Sequence, residues 1–160
     1  LTMLSRLLEW WAHLYSDSKV LSAAVTYLHL GGILVAGGFA IVTDRASIVL
    51  LQEAEPDYPR ELSRMGSVHA WVLGGLTVTA ASGLLMLLAD LHTYLTSLLF
   101  WTKMALIAAL LANGWLRMRA ENLLRDGMVS RRALFRRTSL VSVGLWFAVL
   151  LAGAFLSTIS

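Results

Sequence analysis

The sequence predicts an all-α fold: an integral membrane four-helix bundle with an N-terminal amphipathic helix in the membrane interface. Three observations carry this. Apolar residues make up 58% of the 160 residues and charged residues only 14%, about half the charged share of a soluble domain. The mean hydropathy is +0.69. Four apolar segments also reach about 20 residues, enough to cross about 30 Å of hydrocarbon at about 1.5 Å per residue.

The whole chain reads as one membrane domain, residues 1–160. Residues 1–17 form the amphipathic segment. Leu4, Leu7, Leu8, Trp11, Leu14 and Tyr15 recur at helical spacing, with Arg6, Glu9 and His13 elsewhere. Trp10 and Trp11 suit headgroup depth. The spans are expected at about 20–42, 68–89, 95–116 and 140–159, each near the 20-residue spanning length. The first is read as a true span, not a leader, because it is long and runs into Asp44-Arg45 without a small-residue cleavage site.

The connections differ in character. Residues 44–66 are acidic and hold both prolines. Asp57 is placed to cap a helix carrying Pro59 in its first turn. Asp90-Leu-His-Thr-Tyr94 reads as a tight hairpin. The third connection is basic, with Arg117, Arg119, Arg125, Arg131, Arg132, Arg136 and Arg137. The side holding the two long connections carries ten Lys and Arg, against Arg6 and Lys19 on the other. The positive-inside rule then sets the long connections in the cytoplasm and both termini outward, on the periplasmic side of a bacterial inner membrane. The arginines serve as a topology signal, with anionic lipid or an acidic partner as the other reading. The expected partners are the lipid bilayer and other membrane subunits, with no nucleic acid.

Few residues could carry chemistry. The absence of cysteine removes disulfides, thiolate metal sites, iron–sulfur ligation and a cysteine nucleophile. No hydrolase constellation, phosphate loop or carboxylate pair stands out, and no residue names a substrate, so an enzyme is not the first expectation. Acidic residues avoid the expected spans, which argues against a transporter driven through a membrane carboxylate.

His29 and Lys103 are ionisable residues well inside the expected spans, whereas His69 stands at the very end of one. His29 shares a helix face with Gly32, Ile33, Ala36 and Ala40, where a second helix or a flat cofactor can approach the backbone. Histidine there either serves a function or hydrogen-bonds across the bundle. Lys103 either faces a shared pocket or snorkels toward Asp90 and the headgroups. Counting from the outer span ends, His29 lies about 14 Å deep and Lys103 about 12 Å, so the two are level. His69 falls roughly 15 Å below His29, which disfavours a bis-histidine haem. The haem option that remains puts His29 on one face of the iron and Lys103, Met104 or nothing on the other. A porphyrin or quinone meeting the same residues is a related option. Histidine with the thioethers of Met86 and Met104 gives copper as the alternative. Trp101, Asn113 and Trp115 read first as packing and interface anchors.

Two stretches together resemble a known group. One is His29-Leu-Gly-Gly-Ile-Leu-Val-Ala-Gly-Gly leading to Asp44-Arg45. The other is Phe100-Trp-Thr-Lys103, with Gly83 after Ala80-Ala-Ser82 on the second span. The arrangement is similar to small four-helix bacterial membrane proteins of the copper-resistance protein D and haem-binding membrane protoporphyrinogen oxidase type, over roughly residues 20–117. The resemblance implies that His29 and Lys103 are the functional polar pair. It also implies haem b, with His29 as metal ligand; with the depth reading, the expected cofactor-binding residues are His29, Lys103 and Met104. Where the oxidase type has a Tyr-Leu-Pro-Arg stretch, this chain reads Phe39-Ala-Ile-Val-Thr-Asp44-Arg45. The expected function is a membrane redox or accessory subunit. Copper handling and a structural, lipid-binding subunit without its own cofactor are the alternatives.

Overall fold

Three of the helices begin where a short polar side chain accepts from a free amide: Ser18, Asp90 and Ser97. The computed structural model describes residues 3–52, 60–61, 66 and 68–159. The expected cap at Asp57, the helix start at Pro59, and Arg64 lie outside the described residues. Helix α1 spans Met3–Asp17 and α2 spans Lys19–Leu50. Only Ser18 separates them, and its hydroxyl accepts from the Leu21 amide at 3.3 Å as the N-cap of α2. Helix α3 spans Val68–Ala89. Then comes α4, Leu91–Thr96, capped by Asp90, and α5, Leu98–Arg125, capped by Ser97. The expected tight hairpin is therefore a short helix between two capping residues.

Helix α5 stops at Gly127, whose φ of 84° is left-handed. The Gly127 amide reaches Leu124 O and the Met128 amide reaches Leu123 O, both at 3.0 Å. This paired closure is the Schellman stop, which glycine permits without steric cost. A 3-10 turn, Val129–Arg131, leads into α6, Arg132–Ile159. The basic stretch is thus mostly helical, divided between the end of α5 and the start of α6.

Among the described residues there are no strands. Four helices are long and apolar enough to cross a membrane: α2, α3, α5, and α6 with its preceding turn. They pack in the order α3, α2, α6, α5, with α1 resting on α3 and α2. Helices α2 and α6 are the central pair.

Three of the four long helices overshoot the apolar lengths expected for them. Helix α2 continues past Val42 to Leu50, α5 past Leu116 to Arg125, and α6 starts at Arg132 rather than near Leu140. The overshoot builds a second core. Leu50, Leu51, Ala120, Leu124 and Phe135 are buried together at this end. The Arg132 guanidinium donates to the Leu51 carbonyl just past the end of α2. A separate core of Ala36, Leu110, Trp146 and Val149 lies mid-bundle.

The docking of α1 is specific. Its Trp11 indole donates to the Leu85 carbonyl of α3 at 2.9 Å. Leu8, Trp11, Ala12 and Tyr15 are half-buried, whereas Met3, Leu7, Trp10 and Leu14 form an exposed stripe one or two turns apart. The apolar residues of α1 therefore divide between two faces, one against the bundle and one unpartnered.

Candidate functional site

The position of His29 depends on how closely α2 and α3 approach. A Cβ added to Gly32 would lie 2.5 Å from Thr79 Oγ1 and 2.8 Å from Gly75 O. A Cβ added to Gly75 would lie 2.7 Å from both Ala36 N and Gly32 O. Backbone meets backbone here, and only glycine fits at either position. The small-residue face beside His29 is thus filled by α3.

One turn toward the start of α2, the His29 ring reaches across to α3. Nδ1 lies 3.0 Å from Thr79 O and 3.2 Å from Ser82 Oγ. A carbonyl only accepts, so Nδ1 carries the hydrogen. Ser82 Oγ directs its own hydrogen to Val78 O at 2.6 Å, which leaves the oxygen free to accept from His29 as well. In the neutral ring, Nε2 then holds the lone pair. Gly83 completes the seat: a Cβ there would lie 3.0 Å from His29 Cε1.

Lys103 is half-buried on α5. Its side chain lies along Gly153 of α6, where an added Cβ would be 3.5 Å from Nζ. Its charge is close enough to act on His29. Met104 follows on α5 and is exposed, and Met86 is half-buried one turn beyond Ser82. Among the described residues, no three His, Asp or Glu side chains converge as a metal site.

A second polar level lies at the other end of the bundle. Asp44 on α2 and Glu121 on α5 are each 2% exposed. Arg117, also buried, stands between them. Its Nε meets Asp44 Oδ1, its Nη1 lies 3.2 Å from Glu121 Oε2, and its Nη2 donates to Ser47 Oγ at 2.9 Å. Arg125 adds a 2.7 Å contact to Glu121 Oε1. Ser139 and Ser142 on α6 are buried at the same level, and the Ser139 hydroxyl has no hydrogen-bond partner among the described residues. The Arg117 guanidinium sits 5.2 Å over the Phe135 ring. His69 on α3 brings Nε2 to 3.8 Å from Glu121 Oε2. All four long helices therefore contribute to this level.

Here the structure departs from the sequence reading. Asp44 was expected as a polar stop, Arg117 as a charge in a connection, and Glu121 had no assigned place. Asn113, read as a packing residue, is buried and donates to Thr138 O at 2.8 Å. The usable signal was helical spacing. Asn113, Arg117 and Glu121 step by four, as do Thr138, Ser142 and Trp146, with Ser139 three before Ser142, toward the apolar stripe.

The two levels are separate. Between them lie Ala36 on α2, Leu110 on α5, and Trp146 and Val149 on α6, with Leu106 and Ile107 packed against this cluster. On each of these helices the polar residues stop at this cluster. The level at Asp44 and Glu121 is charge-balanced, with two carboxylates against the guanidiniums of Arg117 and Arg125. The level of His29 and Lys103 has an imidazole nitrogen and an ammonium for which the described residues supply no anion. Family models, curated proteins and solved structures give no match to this chain.

Proposed function

We propose that this chain is a multi-pass protein of a bacterial inner membrane, a redox or accessory subunit that holds haem b or a related porphyrin at the His29–Lys103 level. The observation that carries the reading is the hydrogen bond from His29 Nδ1 to the Thr79 carbonyl. Metal-binding histidines are oriented in this way, with one ring nitrogen tied to a carbonyl and the other presented as the ligand. Lys103 supplies a cation at the same level for a carboxylate of the bound group. When bound, haem would supply one-electron chemistry. The protein's part is to orient the imidazole, place the ammonium and keep the level apart from the inner charges. The resemblance of His29…Asp44-Arg45 and Phe100-Trp-Thr-Lys103 to haem-binding four-helix proteins supports the same assignment.

In this reading the arginine-rich end faces the cytoplasm and both termini face the periplasm. Helix α1 lies in the outer interface, with Met3, Leu7, Trp10 and Leu14 toward the lipid. The test is an absorption spectrum of purified protein with added haem. A Soret band that His29→Ala abolishes is the expected result. No Soret band in the presence of haem overturns the assignment.

A second reading is a structural subunit with no cofactor of its own. The Gly32–Gly75 contact favours it, because the flat face beside His29 is used for helix packing. Stable, stoichiometric isolation with larger partners and no Soret band would decide for it.

A further inference from the structure

We infer that the arginine-rich end carries a belt that binds the headgroups of anionic phospholipids, built from Arg45, Arg119, Arg136 and Arg137. This rests on the membrane reading above and not on the cofactor. Sequence alone treats the arginines of this end as equivalent, but the structure divides them. Arg117 and Arg125 are held by Asp44 and Glu121, and Arg132 by the Leu51 carbonyl. Arg45, Arg119, Arg136 and Arg137 are exposed, and among the described residues none forms an ion pair.

These four share one level of the bundle. Arg117 touches Asp44 across to α2 and Phe135 across to α6, and Asn113 reaches Thr138. Arg45 adjoins Asp44, Arg119 is half a turn from Arg117, and Arg136 and Arg137 lie between Phe135 and Thr138. The register of three helices therefore places the four guanidiniums at a common depth.

That depth matches the lipid phosphates. The apolar run of α5 from Leu98 to Leu116 has a length of about 28 Å, close to the roughly 30 Å of bilayer hydrocarbon. The belt begins where this run ends. Trp115, 55% exposed, sits at the same edge, and the Arg119 guanidinium lies 5.6 Å over its ring. An exposed tryptophan beside an arginine suits the border between hydrocarbon and headgroups. The guanidinium fork pairs with phosphate oxygens two at a time. An acidic protein could meet such charges too, but it would not need them ringed around three helices at one membrane depth.

The test uses the full chain in phosphatidylcholine vesicles doped with a spin-labelled lipid, either phosphatidylglycerol or phosphatidylcholine. Electron spin resonance reads the motion-restricted lipid at the protein surface. The expected result is a preference for phosphatidylglycerol of about threefold or more. It should fall toward one in R45Q/R119Q/R136Q/R137Q. It should fall likewise for the unmodified protein when salt is raised from about 0.1 to about 1 M, which shortens screening from about 10 to about 3 Å. Circular dichroism checks that the variant is folded, and the pair R136Q/R137Q replaces it if it is not. Motion-restricted lipid without preference, or a preference that survives these substitutions, overturns the belt. Absence of any motion-restricted lipid overturns the membrane reading itself.

Discussion

His29 and Thr79 are joined across two helices by a 3.0 Å contact from an imidazole nitrogen to a main-chain oxygen. Because the acceptor is backbone, no side-chain change at position 79 removes it directly. The contact exists because Gly32 and Gly75 let the helices touch one turn away. The geometry of His29 is therefore set by packing as much as by its own polar partners.

Gly83 gives the first prediction. A methyl at this position would lie 3.0 Å from His29 Cε1, so the ring must tilt or α3 must shift. Displacing the support of a metal-binding histidine costs about 10- to 100-fold in affinity. Gly83→Ala should weaken haem binding by about tenfold in a Soret titration. Gly74→Ala, where nothing lies within 4 Å of the added carbon, should leave it unchanged. Equal affinities for all three proteins would show that Gly83 does not seat the ring.

The α2–α3 crossing makes a sharper contrast. Gly31 and Gly32 are adjacent, yet an added carbon meets nothing at Gly31 and three atoms within 3 Å at Gly32. Overpacking of this kind typically costs about 1–3 kcal/mol. Gly32→Ala should lower the thermal midpoint in detergent, whereas Gly31→Ala should hold or raise it because alanine favours helix. The idea fails if the two variants melt together.

Arg117 neutralises two buried carboxylates. Replacing it with Met would leave Asp44 and Glu121 with less than their countercharge in a buried setting. Loss of one partner from a buried ion pair costs about 3–5 kcal/mol. Arg117→Met should therefore unfold at a much lower temperature. Adding Asp44→Asn in the same chain should recover part of the loss, since the uncompensated charge is then gone. A double variant no more stable than Arg117→Met alone would separate Asp44 from this account.

The apolar part of the fold was legible in advance and the polar level at Asp44 and Glu121 was not. Length and hydropathy located the four long apolar helices because twenty apolar residues in a row have few other uses. The same rule misled at this polar level. Asp44, Arg117 and Glu121 are charged, so a hydropathy reading ends the helices before them. Helices do not stop at charge, however, when a partner helix offers the opposite one. Arg117 needs Asp44 from 73 positions earlier, and no local pattern reports a pairing that distant. The division of arginines into buried and exposed was hidden for the same reason. Gly32 was legible as a contact face, but whether helix or cofactor would occupy it depended on the tertiary structure.

Trp11 supplies the last prediction. Its indole is a polar tether between α1 and the C-terminal end of α3, reaching Leu85 O at 2.9 Å. The tether lies three residues beyond Ser82, which touches His29. Trp11→Phe keeps most of the apolar contact and removes the donor. A hydrogen bond of this type contributes about 0.5–1.5 kcal/mol net, so α1 should open about two- to tenfold more often. Hydrogen exchange should quicken by that factor across α1. The amides of α5 and α6, which do not pack closely on α1, should exchange as before. Unchanged exchange in α1 would mean that the apolar face of Leu8, Ala12 and Tyr15 holds the helix without the indole. Quickening throughout the bundle would mean instead that α1 is part of the global fold, because local release cannot accelerate helices it does not touch.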